Sequence, residues 1–272
     1  MEVPKSQPQE ITLRLQWHIQ SQFAGYYAAL DQGFYDDAGL KVTIKQGGYG
    51  QNCLTTVGAG LEEFGTKWPA DLIAAEGDFI SLANIVKDNG LLLISKKDKK
   101  INKISDFKGK NVSIWFIGNE YQLFALLDKN NLSQKDVNIL PQKWDMTQFM
   151  NDEVDVAAAM SYNELLSIYE NGYSEKDLNI FSFKELGVGF PGQNIFTSKK
   201  HYKENPKICK AFVEASIKGW KYAINHPEET VDIIMKYDKE KILNREHQIN
   251  QMKEIIKLIH YPKEQLGIHK TE

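Results

Sequence analysis

Short runs of alternating apolar residues, each followed by apolar residues at helical spacing, recur along this chain from residue 11 to about residue 160. Ile11, Leu13 and Leu15 alternate with polar neighbours, the period of a strand with one buried face. Phe23 to Leu30, with Phe34 and Tyr35, follows a helical period and stops at Asp36-Asp37-Ala38-Gly39, after which Lys41 to Ile44 reads as a second strand. A short helix is expected through Leu54 and Val57, an apolar segment over 70–75, and a helical pattern over 81–86 that leads into a strand at 91–95. Beyond the charged run Lys96-Lys97-Asp98-Lys99-Lys100, strands are expected at 111–116, 137–140 and 155–160, with helices at 120–129 and 146–150. Strands feeding helices at this pace predict a mostly parallel sheet, complete by about residue 195.

The remaining chain changes period. Pro206 opens a long helix that sets Ile208, Phe212, Ala215, Gly219, Trp220 and Ala223 on one face, and Ile249, Met252, Ile255, Ile256 and Ile259 form another amphipathic stretch. With no strands of their own, these helices are expected to pack back on an earlier sheet. The pattern therefore predicts an α/β protein of two lobes, one of them discontinuous. Lobe 1 comprises 11–95 plus 199–272 and lobe 2 comprises 96–198, with a ligand cleft between them.

Composition narrows the function classes. Of 272 residues, 42% are hydrophobic, ample for a real core in either one large domain or two, and a formal charge of -3 offers no field for nucleic acid or anionic lipid. Arg14 and Arg245 are the only arginines, so fork-shaped recognition of phosphate or carboxylate has few candidates. Cys53 and Cys209 are the only cysteines, which supports neither a disulfide scaffold nor a thiolate metal site. The six histidines include no zinc-protease spacing, and no serine stands in a nucleophile-elbow pattern. Binding without turnover is expected, with no cofactor and no metal. No run approaches the roughly 20 apolar residues of a membrane span, and residues 1–10 are polar without a signal-peptide core.

Candidate ligand groups sit where strands end, the position at which open α/β sheets bind ligands. They are Trp17, followed by His18, and Tyr26 in the first helix. Gly48 and Tyr49 lie in the stretch Gly47-Gly48-Tyr49-Gly50, which can expose backbone amides at a turn but lacks the Lys-Ser/Thr pair of a phosphate loop. Trp68 follows Phe64-Gly65-Thr66-Lys67. Trp115 and Asn119 straddle the entry to a helix, and Tyr162 and Glu164 follow the alanine-rich strand. Each has a structural alternative: ring packing for the aromatics, turning for the glycines, a helix cap for Asn119 and a capping box with Ser161 for Glu164. Flat rings beside amides and a carboxylate suit a small planar heteroaromatic ligand.

The run Phe23-Ala24-Gly25-Tyr26-Tyr27-Ala28-Ala29-Leu30 and Gly33-Phe34-Tyr35-Asp36-Asp37-Ala38-Gly39-Leu40 strongly resembles the thiamine-pyrimidine-precursor-binding and pyrimidine-synthase family. Phe64-Gly65-Thr66, Asp106-Phe107-Lys108-Gly109-Lys110 and Lys218-Gly219-Trp220-Lys221-Tyr222-Ala223 extend the match in order along the chain. The resemblance implies a type II periplasmic-binding-protein fold. It also implies a solute-binding component of an ABC importer for a thiamine pyrimidine precursor such as formylaminopyrimidine, with an ABC transporter permease as partner. A riboflavin-binding importer component is the nearest alternative, and a ligand-sensing domain of a larger receptor is another. The synthase branch implies an active-site lysine and histidine, a cysteine-rich segment, pyridoxal phosphate and iron. This chain has no cysteine cluster, and neither lysine nor histidine just before Phe64-Gly65, so synthesis is not expected. By kinship a monomeric lipoprotein, periplasmic or extracellular and membrane-anchored, is expected, its export signal missing from the sequence as given.

Overall fold

The computed structural model describes residues 7–48, 50–75 and 77–267. Its strands and helices follow one another as β1 (Gln9–Arg14), α1 (Ala24–Asp31), α2 (Phe34–Asp37), β2 (Leu40–Lys45), α3 (Cys53–Gly58), β3 (Phe64–Lys67), α4 (Pro69–Ala74) and β4 (Phe79–Asn84). Next come β5 (Leu91–Lys96), β6 (Asn111–Ile114), α5 (Glu120–Lys129), β7 (Asn138–Pro141), α6 (Thr147–Met150), β8 (Val156–Met160), α7 (Glu164–Glu170) and β9 (Leu178–Ser182). The chain continues with β10 (Asn194–Ser198), α8 (Lys199–Glu204), α9 (Pro206–Asn225), α10 (Pro227–Tyr237) and α11 (Arg245–Ile259). No helix among the described residues is long and apolar enough to cross a membrane.

The chain forms two compact α/β units, the first running to Lys87 and resuming at Gly192, the second spanning Asp88–Pro191. In the first, the sheet order is β2-β1-β3-β10-β4; in the second it is β7-β6-β8-β5-β9. Both sheets are mixed. β1 runs parallel to β2 and β3, whereas β10 is antiparallel to β3 and β4. In the second, β6 runs parallel to β7 and β8, and β5 is antiparallel to β8 and β9. Each sheet thus carries one reversed strand in the same place, fourth in order.

That pairing moves the boundaries. The sequence divisions at 95/96 and 198/199 would leave β5 with the first unit and β10 with the second. Instead β5 pairs with β8 and β9, and β10 fills the gap between β3 and β4. The expected helical pattern at 81–86 is largely strand β4, because a short, mostly apolar run fits either period.

Local chemistry explains the packing. Ile11, Leu13 and Leu15 turn one face of β1 inward, and all five residues of β8, Val-Ala-Ala-Ala-Met, are buried between β6 and β5. In the first unit, α9 buries Cys209, Phe212, Ala215, Ser216, Gly219, Trp220 and Ala223, and α1 lies against it. The approach is close: a Cβ built on Gly219 would stand 2.1 Å from the Gly25 carbonyl, and one on Gly25 would stand 2.2 Å from the Trp220 ring. Tyr35, Phe212 and Phe64 stack in sequence, with centroids 5.3 and 4.1 Å apart.

Candidate functional site

In the first unit, β1, β2 and β3 end on the same side of their sheet because they run parallel. Gln16 N–H donates to Thr66 Oγ1 (2.9 Å), Gly47 N–H to the Trp17 carbonyl (2.9 Å) and Ile19 N–H to Gln46 Oε1 (2.9 Å). These bonds bring Trp17 and His18 together with the glycine turn. The Trp17 and His18 rings meet edge to face at 5.2 Å. Gly48 has φ +119°, and a Cβ there would reach 2.6 Å from His18 Nε2. A Cβ on Gly47 would come within 2.1 Å of the Leu15 carbonyl. The glycines are therefore required for close approach of this turn to the end of β1. Gly48 seats the imidazole; Tyr49 lies outside the described residues.

Arg14 fastens the same turn. Its Nε donates to both Glu62 oxygens (3.0 and 2.9 Å), Nη2 donates to Glu62 Oε1, and Nη1 donates to the Gln46 carbonyl (2.7 Å) and Gln51 Oε1 (3.2 Å). Burial opposes the Glu62 charge, but hydrogen bonds from Arg14, Thr56 and Lys45 outweigh it and hold the carboxyl down at about 2. A depressed carboxyl stabilises the fold above its unfolded value, and that contribution disappears as pH falls from about 4.5 toward about 2. Urea unfolding should accordingly show on the order of 2 kcal/mol lost across this window. Glu62→Gln should lower stability at pH 7 and flatten the acid slope; an unchanged slope would show that the pair does not carry it.

Trp68 follows β3 at 8% exposure, with Lys67 Nζ 5.8 Å from its ring centroid and paired to Asp71 at 3.1 Å. Tyr26 departs from the ligand-facing position expected of it. It is fully buried, its ring meets Trp220 edge to face at 5.6 Å, and its hydroxyl donates to Gln193 Oε1 at 3.2 Å. Burial, with Tyr35 nearby, raises the pKa of that phenol well above the usual range. In this structure, ring and hydroxyl are both engaged within the first unit, because α1 turns this face toward α9.

The second unit repeats the arrangement at the ends of β6, β7 and β8. Gln142, just after β7, behaves as an extra strand residue: its Nε2 donates to the Ala158 carbonyl (2.6 Å), and its Oε1 accepts from Ala158 N–H (2.8 Å) and Ser113 Oγ (3.0 Å). Trp115 follows β6 at 6% exposure, and its indole N–H is occupied by the Lys143 carbonyl at 3.1 Å. The N–H is thus committed within the second unit, and the ring face is what remains.

Asn119 precedes α5. As a cap it would need extended backbone and a side-chain bond to a helix N–H; instead φ is -73° and ψ -28°, and its side chain makes no capping bond. It is 1% exposed, and neither Oδ1 nor Nδ2 has a partner among the described residues. An unsatisfied buried amide costs about 1–3 kcal/mol, so Asn119 is an expensive group to leave without a partner. Neighbouring α5 is held by Gln122, whose Oε1 accepts from Asn89 Nδ2 and whose Nε2 donates to the Val188 carbonyl (3.1 Å).

After β8, Tyr162 is buried, and burial together with the Glu164 charge raises the pKa of its hydroxyl. Glu164 also serves its own chain: Oε2 accepts from Met160 N–H (2.9 Å) and Oε1 from Asn163 Nδ2 (2.7 Å). Two groups escape the sequence reading. Ser161 Oγ is buried without a partner among the described residues, and so is Gln193 Nε2. Ser161 has a faint signal in its place directly after an alanine-rich strand; Gln193, in a loop beyond Pro191, has none. Cys53 and Cys209 are free and buried, and burial pushes both thiols up to about 11, away from the thiolate form.

Comparison places this geometry among known proteins. The chain is 24% identical over 246 residues to riboflavin-binding protein RibY of Chloroflexus aurantiacus, covering 86% of this chain and 68% of that one. It is 23% identical over 230 residues to the 4-amino-5-hydroxymethyl-2-methylpyrimidine phosphate synthase of Legionella pneumophila, covering 82% and 72%. It is 18% identical over 233 residues to the formylaminopyrimidine-binding protein of Halalkalibacterium halodurans, covering 83% and 69%. Among solved structures, the periplasmic aliphatic sulphonate binding protein SsuA of Escherichia coli superposes with TM-score 0.73 at 14% identity, covering 90% of this chain and 83% of that one. The fold is the type II periplasmic-binding-protein fold, as the sequence resemblance implies. Residues 20–230 match the family described as NMT1/THI5 like, and the chain belongs to that family.

Proposed function

We propose that this chain is the solute-binding component of an ABC importer and holds an uncharged, flat heteroaromatic ligand without turnover. A thiamine pyrimidine precursor of the formylaminopyrimidine kind is the first candidate. The observation that carries the reading is the Asn119 amide, buried with both polar atoms unpartnered among the described residues, four residues beyond Trp115 at the strand-end edge of the second unit. An amide offers one donor face and one acceptor face, the match for a ring edge that alternates the two. A tryptophan with its N–H already occupied offers its π face. On this reading the Glu164 carboxylate meets the amino edge of the ring.

Charge supports an uncharged ligand over an oxyanion. Both arginines are committed, Arg14 to Glu62 and Arg245 to Asp232 at 2.7 and 3.1 Å. Buried, weakly acidic thiols agree with binding rather than covalent chemistry. On this reading the partner is a permease, and the protein works as an exported, lipid-anchored monomer. Riboflavin is the second reading, favoured by the greater identity to the riboflavin-binding relative and by the exposed rings of Phe116, Tyr121 and Trp144 in the second unit.

Native mass spectrometry of the purified protein with formylaminopyrimidine, riboflavin and an alkanesulfonate tests the assignment. A single adduct with the pyrimidine is expected. A riboflavin adduct alone selects the second reading, and an adduct only with the sulfonate contradicts the ligand class.

A further inference from the structure

Gln193 stands immediately before β10, whose Asn194 is registered opposite Lys67 at the end of β3. Continuing that antiparallel register by one residue sets Gln193 opposite Trp68, on the strand-end edge that also carries Trp17. Its backbone is fixed, since its carbonyl accepts from both Ile85 N–H (2.9 Å) and Val86 N–H (3.2 Å). Its side chain is half satisfied. Oε1 accepts from the Tyr26 hydroxyl at 3.2 Å, while Nε2, in a residue only 1% exposed, has no partner among the described residues.

The sense of this amide is set from behind. Trp220 packs edge-on against the Tyr26 ring, 5.6 Å between centroids and 85° between planes. The Tyr26 hydroxyl donates its proton to Gln193 Oε1 at 3.2 Å, while the Trp220 indole N–H has no partner among the described residues. The carbonyl end of the amide is therefore held inward, and the NH2 end is the one left to bond elsewhere. A buried donor kept in this orientation is costly unless something accepts from it.

We propose that Gln193 Nε2 donates a hydrogen bond to the ligand and that Tyr26 is the positioning residue that fixes the amide in that sense. The inference rests on the binding function proposed above and sharpens it. The ligand must be a heteroaromatic that presents an acceptor to Gln193, either an exocyclic carbonyl or an unprotonated ring nitrogen. It also gives Tyr26 a place in recognition through Gln193 rather than by contact.

Calorimetric titration with formylaminopyrimidine and with riboflavin tests this on the wild-type chain, Gln193→Glu, Gln193→Met and Tyr26→Phe. Gln193→Glu keeps the size of the side chain and an acceptor for Tyr26 but turns the donor into an acceptor, and should weaken binding at least ten-fold. Gln193→Met, which removes the donor without adding charge, should also weaken it about ten-fold. Tyr26→Phe should weaken binding a few-fold in the wild-type background and not at all in the Gln193→Met background, a coupling that a purely structural role would not produce. Unchanged or tighter binding by both Gln193 variants overturns the donor role while leaving the binding function standing. An equal Tyr26→Phe effect in both backgrounds overturns the positioning role. A wild-type chain that binds neither probe overturns the binding function, and this inference with it.

Discussion

Trp115→Ala is expected to weaken binding of the heteroaromatic ligand by about 30-fold or more, roughly 2 kcal/mol, the scale at which a buried aromatic anchors recognition. Trp115 is oriented by its bond to the Lys143 carbonyl, which consumes the only polar atom of the ring and leaves the π face as what it can offer. Trp115→Phe keeps a ring at that position and should keep most of the affinity. Calorimetry on both variants, with circular dichroism to establish that each is folded, separates stacking from loss of structure. Equal affinity in wild type and Trp115→Ala would remove the indole from the site.

Gly219→Val should lower the unfolding free energy by about 3 kcal/mol, at the upper end of what overpacking costs. The first added carbon would stand 2.1 Å from the Gly25 carbonyl and 2.6 Å from the Ala29 Cβ, which is backbone and short side chain with no freedom to swing aside. α1 and α9 would have to separate, and Trp220, itself fully buried, would move with them. The midpoint of urea unfolding reads the change. A shift corresponding to less than about 0.5 kcal/mol, the usual scale of a surface substitution, would show that the two helices do not meet as closely as described.

This contact also explains which parts of the protein are legible in its sequence. Two of the motifs that carry the family resemblance, Phe23 to Leu30 and Lys218 to Ala223, are the two sides of the α1–α9 interface. Packing constraints fix residue types tightly at such an interface, so they speak for the fold and only indirectly for the ligand. That is why Tyr26, conspicuous within its motif, turns out to be engaged with Trp220 and Gln193. Strands with clear alternation or unbroken burial, such as β1 and β8, announce themselves. β3 is four residues with a glycine and a lysine, and β10 is recognisable only from its partners on both sides, so neither stands out by periodicity.

Site residues divide the same way. Trp115 and Asn119 are visible because a strand ends and a helix begins beside them. What the sequence leaves open for Asn119 is whether it caps α5; its helical backbone and the lack of a capping bond from its side chain answer that. Gln193 is the opposite case. Its importance comes from a register with β3 and a bond to a tyrosine 167 positions away in the chain, neither of which has any local trace. Glu164 lies between these cases, since its bonds to Met160 and Asn163 show a carboxylate that supports its own turn whatever else it accepts.

The central claim is that a flat, uncharged ligand meets the strand ends through an indole face and an otherwise unpartnered amide. A crystal structure of the protein with the ligand captured in mass spectrometry addresses it most directly. The account predicts a heteroaromatic ring against Trp115 with its edge within hydrogen-bond distance of the Asn119 side chain. A ligand bound elsewhere, with the Asn119 amide still buried and unpartnered, would contradict it.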